Sequence, residues 1–208
     1  MILPVRTPTA MKDPSNYWTP EDVNTILGYC KGKDRQHYIL FKLLWLSGRR
    51  ISEVIGTEAV HARNNELAGH SERNLKGLIP SDILWDKSAV VWGIEKKARP
   101  VREVRYLPES FMLELRDYIA EVGVKGDGRV FTTYHRKANR LIRTVCNKVG
   151  VKTGKGCSVH RFRHSLATYI GEKSVPTAGY ILAHSDLRVT SAYAHPAKEM
   201  GVVYEGII

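Results

Sequence analysis

The chain has 208 residues, of which 43% are hydrophobic and 25% are charged, and its formal net charge is +11. This length suits one domain with a substantial core, and the composition is that of an ordinary soluble globular protein. The excess Lys and Arg is spread along the chain, which predicts a folded basic surface for a polyanion. No apolar run is long enough to cross a bilayer, and no basic amphipathic helix favours a membrane surface. Three widely spaced cysteines do not resemble a disulfide framework and favour a cytoplasmic protein.

The N-terminal part of the chain is predicted to be a polar arm followed by a helix. Residues 1–17 contain three prolines and have the composition of a linker or N-terminal arm. Thr19 suits the N-cap of a helix, Pro20 its first turn, and Asp22 the reciprocal capping position. Residues 59–78 are polar and lack periodicity, so we expect a loop insertion there.

The remaining elements predict an α+β fold that is predominantly α-helical, with a small three-stranded antiparallel sheet. Apolar periodicity and helix stop signals predict helices over these segments: 35–47, 49–55, 109–123, 136–148, 160–172, 176–182 and 187–194. Two strands are expected at 90–94 and 101–107, residues 83–85 are a candidate third strand, and 130–131 a short extended piece. The core is expected to contain Trp45, Trp85 and Trp92.

The most informative stretch is residues 159–164, which read VHRFRH. His160, Arg163 and His164 stand at i, i+3 and i+4, and therefore on one face of a helix. The sequence LAH follows at 182–184 and a tyrosine at Tyr193, so two imidazoles, a guanidinium, a third imidazole and a phenol can converge on one anionic group. A metal site is not expected, because Arg163 would repel the cation and no Glu stands between the two histidines.

These residues resemble the catalytic domain of the tyrosine recombinase (phage integrase) family. HRFRH at 160–164 is similar to the family's His-x-Leu-Arg-His box, with Phe162 in place of the leucine. SGRRISEV at 47–54 resembles Thr-Gly-x-Arg-Ile-Ser-Glu-Leu, which assigns the first catalytic arginine to Arg50 rather than Arg49.

The third part of the resemblance lies near the C-terminus. LAHS at 182–185 is similar to the family's Leu-Gly-His-Ser, and Thr190, Tyr193 and His195 follow at the family's spacings. The boxes stand in family order between residues 46 and 195, so the resemblance covers most of the chain.

The resemblance implies a catalytic domain over residues 18–208 that cleaves and rejoins DNA at defined sites through a covalent 3′-phosphotyrosyl intermediate. It implies a supporting role for Glu53 and His164, and the following catalytic residues: Arg50, Lys97 or Lys96, His160, Arg163, His184 and Tyr193. Guanidiniums bind the charged phosphate bidentately and stay protonated, so this chemistry needs no metal or other cofactor.

Two assignments stay open. The stretch 96–105 departs in length from the family's Gly-Lys-Gly-x-Lys-x-Arg pattern, so the lysine that protonates the leaving oxygen is Lys97 or, as the alternative, Lys96. Glu53 either orients the catalytic residues or is a carboxylate at a helix start, where the macrodipole favours it.

The implied partner is double-stranded DNA, with four copies assembled on two DNA sites and a monomer in free solution. Two alternatives remain: a type IB topoisomerase, which relaxes DNA without choosing a site, and a DNA-binding regulator with an idle site. An N-terminal DNA-clamping module could precede the chain.

Overall fold

A computed structural model describes residues 17–56, 76–94, 101–151 and 157–182. The described residues form a mostly helical domain with one small sheet, which confirms the predicted fold class. Its helices are α1 (Pro20–Lys31), α2 (Arg35–Ser47), α3 (Ile51–Ile55), α4 (Glu109–Val122), α5 (His135–Val149), α6 (His160–Lys173) and α7 (Val175–Ile181). Its strands are β1 (Ile83–Leu84), β2 (Ala89–Ile94) and β3 (Val101–Tyr106).

The helix ends follow the local signals in the sequence. The predicted capping box opens α1: the Asp22 backbone N–H donates to Thr19 Oγ1 at 3.2 Å, and the Thr19 N–H donates to Asp22 Oδ2 at 3.1 Å. Gly48 ends α2 in the left-handed conformation, with φ of 61°. That turn directs the chain at once into α3, whose N-cap is Arg50.

The sheet is antiparallel with the order β1-β2-β3, so β3 is an edge strand. Ile94, the last residue of β2, lies opposite Val101, the first residue of β3. The third strand at 83–84 is confirmed, but Trp85 begins a short 3-10 turn and is 37% exposed, so its predicted core position is wrong. Its ring lies 5.6 Å from the Arg116 guanidinium, which stabilises a partly exposed indole.

One further predicted element differs in the structure, and several predicted segments lie outside the described residues. The predicted extended piece at 130–131 is buried coil, and the Val130 N–H donates to the Leu78 carbonyl at 2.9 Å. The predicted helix at 187–194, residues 1–16 of the arm and residues 59–75 of the insertion lie outside the described residues. Within the described residues no helix has the length and apolar character of a membrane span.

An aromatic cluster joins α6 to the start of the domain. The Phe162 ring lies 5.0 Å from Trp18, edge to face, and 5.4 Å from Phe41 of α2. The backbone N–H of Trp18 also donates to the buried Ser165 hydroxyl at 2.8 Å. These contacts anchor the beginning of α1 on the helix that carries the HRFRH box.

We expect Phe162→Leu to lower the free energy of unfolding by about 1–2 kcal/mol, because leucine keeps the apolar contact but leaves part of the ring volume empty. Phe162→Ala should cost about 3–5 kcal/mol. Urea denaturation followed by circular dichroism measures both. Leu113→Ala on α4, where the side chain is 48% exposed, is the control and should change stability by less than about 0.5 kcal/mol. A Phe162→Leu protein as stable as the parent would contradict the role given to this cluster.

Candidate active site

Arg50 is held at the start of α3 by a buried carboxylate. Its backbone N–H donates to Glu53 Oε2 at 2.8 Å, and its Nη1 lies 3.4 Å from Glu53 Oε1. The Glu53 side chain is 1% exposed, whereas that of Arg50 is 42% exposed. Glu53 therefore caps the helix start and lies within ion-pair distance of the Arg50 side chain.

Arg163 connects the first and third motif segments from its position on α6. Its Nη1 donates to the Gly48 carbonyl at 2.5 Å, and its Nη2 donates to the Leu182 carbonyl at 2.7 Å. Both bonds are buried. Gly48 stands two residues before Arg50, and Leu182 two residues before His184. A single guanidinium thus links all three motif segments.

The two histidines of the HRFRH box contact each other, as their helical spacing predicts. The His160 and His164 rings lie 4.5 Å apart, with an interplanar angle of 89°. His160 is exposed and His164 is half-buried. The start of α6 is held by α5, because the Val159 N–H donates to Asn139 Oδ1 at 2.9 Å.

The remaining predicted catalytic residues are Lys96, Lys97, His184 and Tyr193, and they lie outside the described residues. The elements next to two of these positions are described. Lys96 and Lys97 follow the last residue of β2, which is paired with the first residue of β3. Of the predicted site, the structure therefore describes Arg50, Glu53, His160, Arg163 and His164.

The sequence interpretation missed a charged residue that lies beside Arg50. Arg49 takes the variable position of the first box, yet its side chain is 0% exposed and its Nη2 lies 3.8 Å from Glu103 Oε2 of β3. Burial lowers the pKa of Arg49 to about 10, while the Glu53 and Glu103 carboxylates act to raise it. The signal in the sequence is a second arginine directly before Arg50.

Helix α5 presents a basic face to solvent next to the start of α6. Its buried face is apolar and consists of Ala138, Ile142, Val145 and Cys146. The opposite face contains an open groove of about 430 Å³ lined by Arg136, Asn139, Arg140, Arg143, Thr144 and Asn147. Asn139 lines this groove and also binds the residue before His160. One residue that lines the groove therefore also contacts the residue before the start of α6.

Among the described residues, no three His, Cys, Asp or Glu side chains are grouped as metal ligands would be. The three cysteines are buried free thiols.

The sequence profile of the phage integrase family matches residues 90–200. Tyrosine recombinase XerA of Thermococcus onnurineus is 27% identical over 220 residues, which cover 98% of this chain and 69% of the relative.

The fold is similar to those of solved recombinases. The crystal structure of XerA recombinase superposes with a TM-score of 0.64 at 18% identity, covering 91% of this chain and 62% of that one. The catalytic domain of bacteriophage HP1 integrase gives a TM-score of 0.58 at 15% identity and covers 85% of both chains. At these identities the likeness establishes the fold, and the chain spans about two thirds of the XerA proteins.

We expect Arg163→Lys and Arg50→Lys to separate structural from chemical effects. A lysine at 163 cannot donate to two carbonyls as a rigid fork, so Arg163→Lys should lower the free energy of unfolding by about 1–3 kcal/mol. Arg50→Lys should change stability by less than about 1 kcal/mol, because the side chain is partly exposed and the ion pair with Glu53 can persist. Thermal and urea denaturation measure both variants. Equal stability of the two proteins would contradict the linking role of Arg163.

Proposed function

Because the chain belongs to the phage integrase family, we propose that it contains the catalytic domain of a site-specific DNA recombinase. It cleaves and rejoins double-stranded DNA through a covalent 3′-phosphotyrosyl intermediate. The observation that carries the proposal is the Arg163 side chain, which binds the carbonyls of Gly48 and Leu182. These bonds bring the segments of the Arg50, Arg163 and His184 motifs to one place.

The chemistry assigned to these residues is transesterification at phosphorus. The Tyr193 oxygen attacks the scissile phosphate, a new Tyr O–P bond forms, and the bond from phosphorus to the 5′-oxygen breaks. Since a phenol has a pKa of about 10, its proton must leave as it attacks, and His160 is the base that accepts it. The free 5′-hydroxyl reverses the step, because the phosphotyrosyl ester conserves the energy of the broken phosphodiester.

The guanidiniums of Arg50 and Arg163 stabilise the charge that develops on the non-bridging oxygens. A guanidinium has N–H donors in a planar fork whose geometry matches the oxygens of a phosphate. Loss of one preorganised donor to a developing oxyanion costs about 10²–10³ in rate. His184 adds a further donor to the phosphate, and Lys97 or Lys96 protonates the leaving 5′-oxygen.

The basic face of α5 is the surface on which the DNA backbone lies. It is exposed, it adjoins the start of α6, and its cations Arg136, Arg140 and Arg143 follow one another at intervals of four and three residues on one side of the helix. Contacts of this kind supply affinity without sequence information. Four copies assemble on two DNA sites, and the free protein is a cytoplasmic monomer.

A Tyr193→Phe protein should form no covalent adduct with DNA, because only the phenol oxygen at this position becomes bonded to phosphorus. The test uses a suicide substrate in which a nick next to the scissile phosphate lets the short 5′-hydroxyl fragment diffuse away, followed by peptide mapping of the adduct. Tyr106→Phe is the control, since this side chain is 68% exposed on β3 and its loss should leave adduct formation intact. An adduct on the Tyr193→Phe protein would overturn the proposal.

The same assay distinguishes the alternative functions. Adducts on DNA of any sequence, with plasmid relaxation and no recombinant product, would identify a type IB topoisomerase. Salt-dependent binding without any adduct would identify a DNA-binding regulator.

We expect Arg140→Gln to weaken binding to all DNA sequences equally. If Arg140 contacts one phosphate, the negative slope of log K against log salt concentration should become less steep by about 0.9. Fluorescence anisotropy titrations between low and moderate salt measure the slope. Lys125→Gln is the matched control, because Lys125 is an exposed cation in the loop after α4. An unchanged slope for Arg140→Gln, or an equal change for both variants, would exclude α5 as the DNA surface.

A further inference from the structure

Strand β3 places charged residues toward the protein and apolar residues toward solvent. Glu103 is half-buried and Arg105 is buried, whereas Val104 and Tyr106 are 42% and 68% exposed. In a sheet with one covered face the opposite arrangement is usual. A shift of one residue in register would exchange the two faces. The inward charges therefore indicate a polar contact beneath the strand.

The contact beneath β3 is a cluster of three charged side chains. Glu103 Oε2 accepts a hydrogen bond from Arg105 Nη2 at 2.7 Å and lies 3.8 Å from Arg49 Nη2. The second distance is that of an ion pair without a direct hydrogen bond. Arg49 thus connects the segment that precedes α3 to the inner face of β3.

The cluster continues from Arg49 to the catalytic arginine. The Glu53 carboxylate, which holds Arg50, interacts electrostatically with Arg49 and raises its pKa against the effect of burial. Arg50 forms an ion pair with Glu53, and Arg49, the residue before Arg50 in the sequence, forms one with Glu103. The two consecutive arginines thus connect a proposed phosphate ligand to a strand of the hairpin.

The hairpin strand leads directly to the lysines. Glu103 lies opposite Trp92, two residue pairs before the strand ends at Ile94 and Val101. Lys96 and Lys97 stand in the connection between those two strand ends. A contact that fixes Glu103 therefore constrains the paired strand ends between which both lysines stand in the sequence.

We propose that Arg49 is a positioning residue that, through Glu103, sets the β2–β3 hairpin and its lysine relative to Arg50. This inference rests on the proposed function, in which Lys97 or Lys96 is the general acid. In that step the Tyr193 oxygen forms its bond to phosphorus, the 5′-oxygen leaves with the bonding electron pair, and the lysine ammonium transfers a proton to it.

Stability alone does not account for a buried arginine at this position. Removing a guanidinium from water is costly, and replacement of buried ionic groups by apolar residues of similar volume is often neutral or stabilising. Methionine at 49 would fill similar space and leave Glu103 its bond with Arg105. A role in positioning β3 explains why residue 49 is an arginine, because its guanidinium contacts Glu103 on that strand.

The test compares two leaving groups at the scissile phosphate. One suicide DNA has the normal 5′-oxygen, and the other has sulfur at that bridging position. A thiol with a pKa of about 8.5 departs as the thiolate without a proton, so the sulfur substrate does not need the general acid. A defect in the position of the lysine should therefore appear only with the oxygen substrate.

We expect Arg49→Met to form adduct about 10–100-fold more slowly than the parent with oxygen DNA, the range for a misplaced acid catalyst. With sulfur DNA the variant should react within about twofold of the parent, since no proton transfer is required. Arg49→Lys keeps the positive charge and should recover most of the rate with oxygen DNA. The lysine variants Lys97→Ala and Lys96→Ala show which residue gives the same pattern.

Arg102→Gln is the matched control, because this arginine lies on the same strand and its ion pair with Asp82 involves a side chain that is 70% exposed, where such a pair contributes little. Its oxygen-to-sulfur rate ratio should equal that of the parent. Arg50→Ala should be slow with both substrates, because it removes a phosphate ligand and not the acid.

Equal slowing of Arg49→Met with both substrates, or no slowing with either, would overturn the inference. If Arg49→Met does not fold by circular dichroism, Glu103→Gln decides, since it removes the same ion pair and retains the shape of the side chain. Its reaction should also be slow only with oxygen DNA, and equal rate ratios for it and the parent would overturn the inference. A parent protein that forms no adduct with either DNA would instead contradict the proposed function.

Discussion

The architecture of the site depends on the two hydrogen bonds that Arg163 donates to backbone carbonyls. They join the residue that ends α2 to the residue that follows α7, and both lie in the protein interior. A buried carbonyl without a donor is costly, so each partner of Arg163 is held in place by that cost. The segment before Arg50 and the segment before His184 consequently meet at α6, and their separation along the sequence does not matter.

The same helix contributes both to the core and to the site. Phe162, Leu166 and Ile170 recur at intervals of four and are almost fully buried. They fix the rotation of α6 about its axis, since successive residues differ by about 100° around a helix. His160 and His164 then project from a different side, at a rotation that the core packing sets. The aromatic contacts of Phe162 thus position histidines that they do not touch.

Local signals in the sequence predict the elements, whereas some individual contacts between distant side chains are not predicted by them. The capping box at Thr19 and the left-handed turn at Gly48 depend on a few neighbouring residues, so the sequence predicts where α1 begins and where α2 ends. The burial of Arg49 is not predicted in this way, because its partner Glu103 lies on a strand far along the chain. Charged and apolar side chains alternate along β3, and this pattern allows either set to face the protein. The charged set faces inward because the strand lies over Arg49. The residue type of Trp85 predicts a core position, but it does not specify whether a turn will place the side chain at the surface.

The chain uses its positive charges in two ways that respond differently to solution conditions. Exposed cations such as Arg136 and Arg140 on α5 act through a field that salt screens within about 10 Å at 0.1 M. Arg163 and Arg49 are buried among carbonyls and carboxylates, where screening is weak and the geometry of the contact sets the energy. Moderate salt should therefore release DNA from the surface and leave the arrangement around Arg163 intact. The net charge of +11 therefore acts mainly through exposed side chains, whereas Arg163 and Arg49 act through the geometry of their buried contacts.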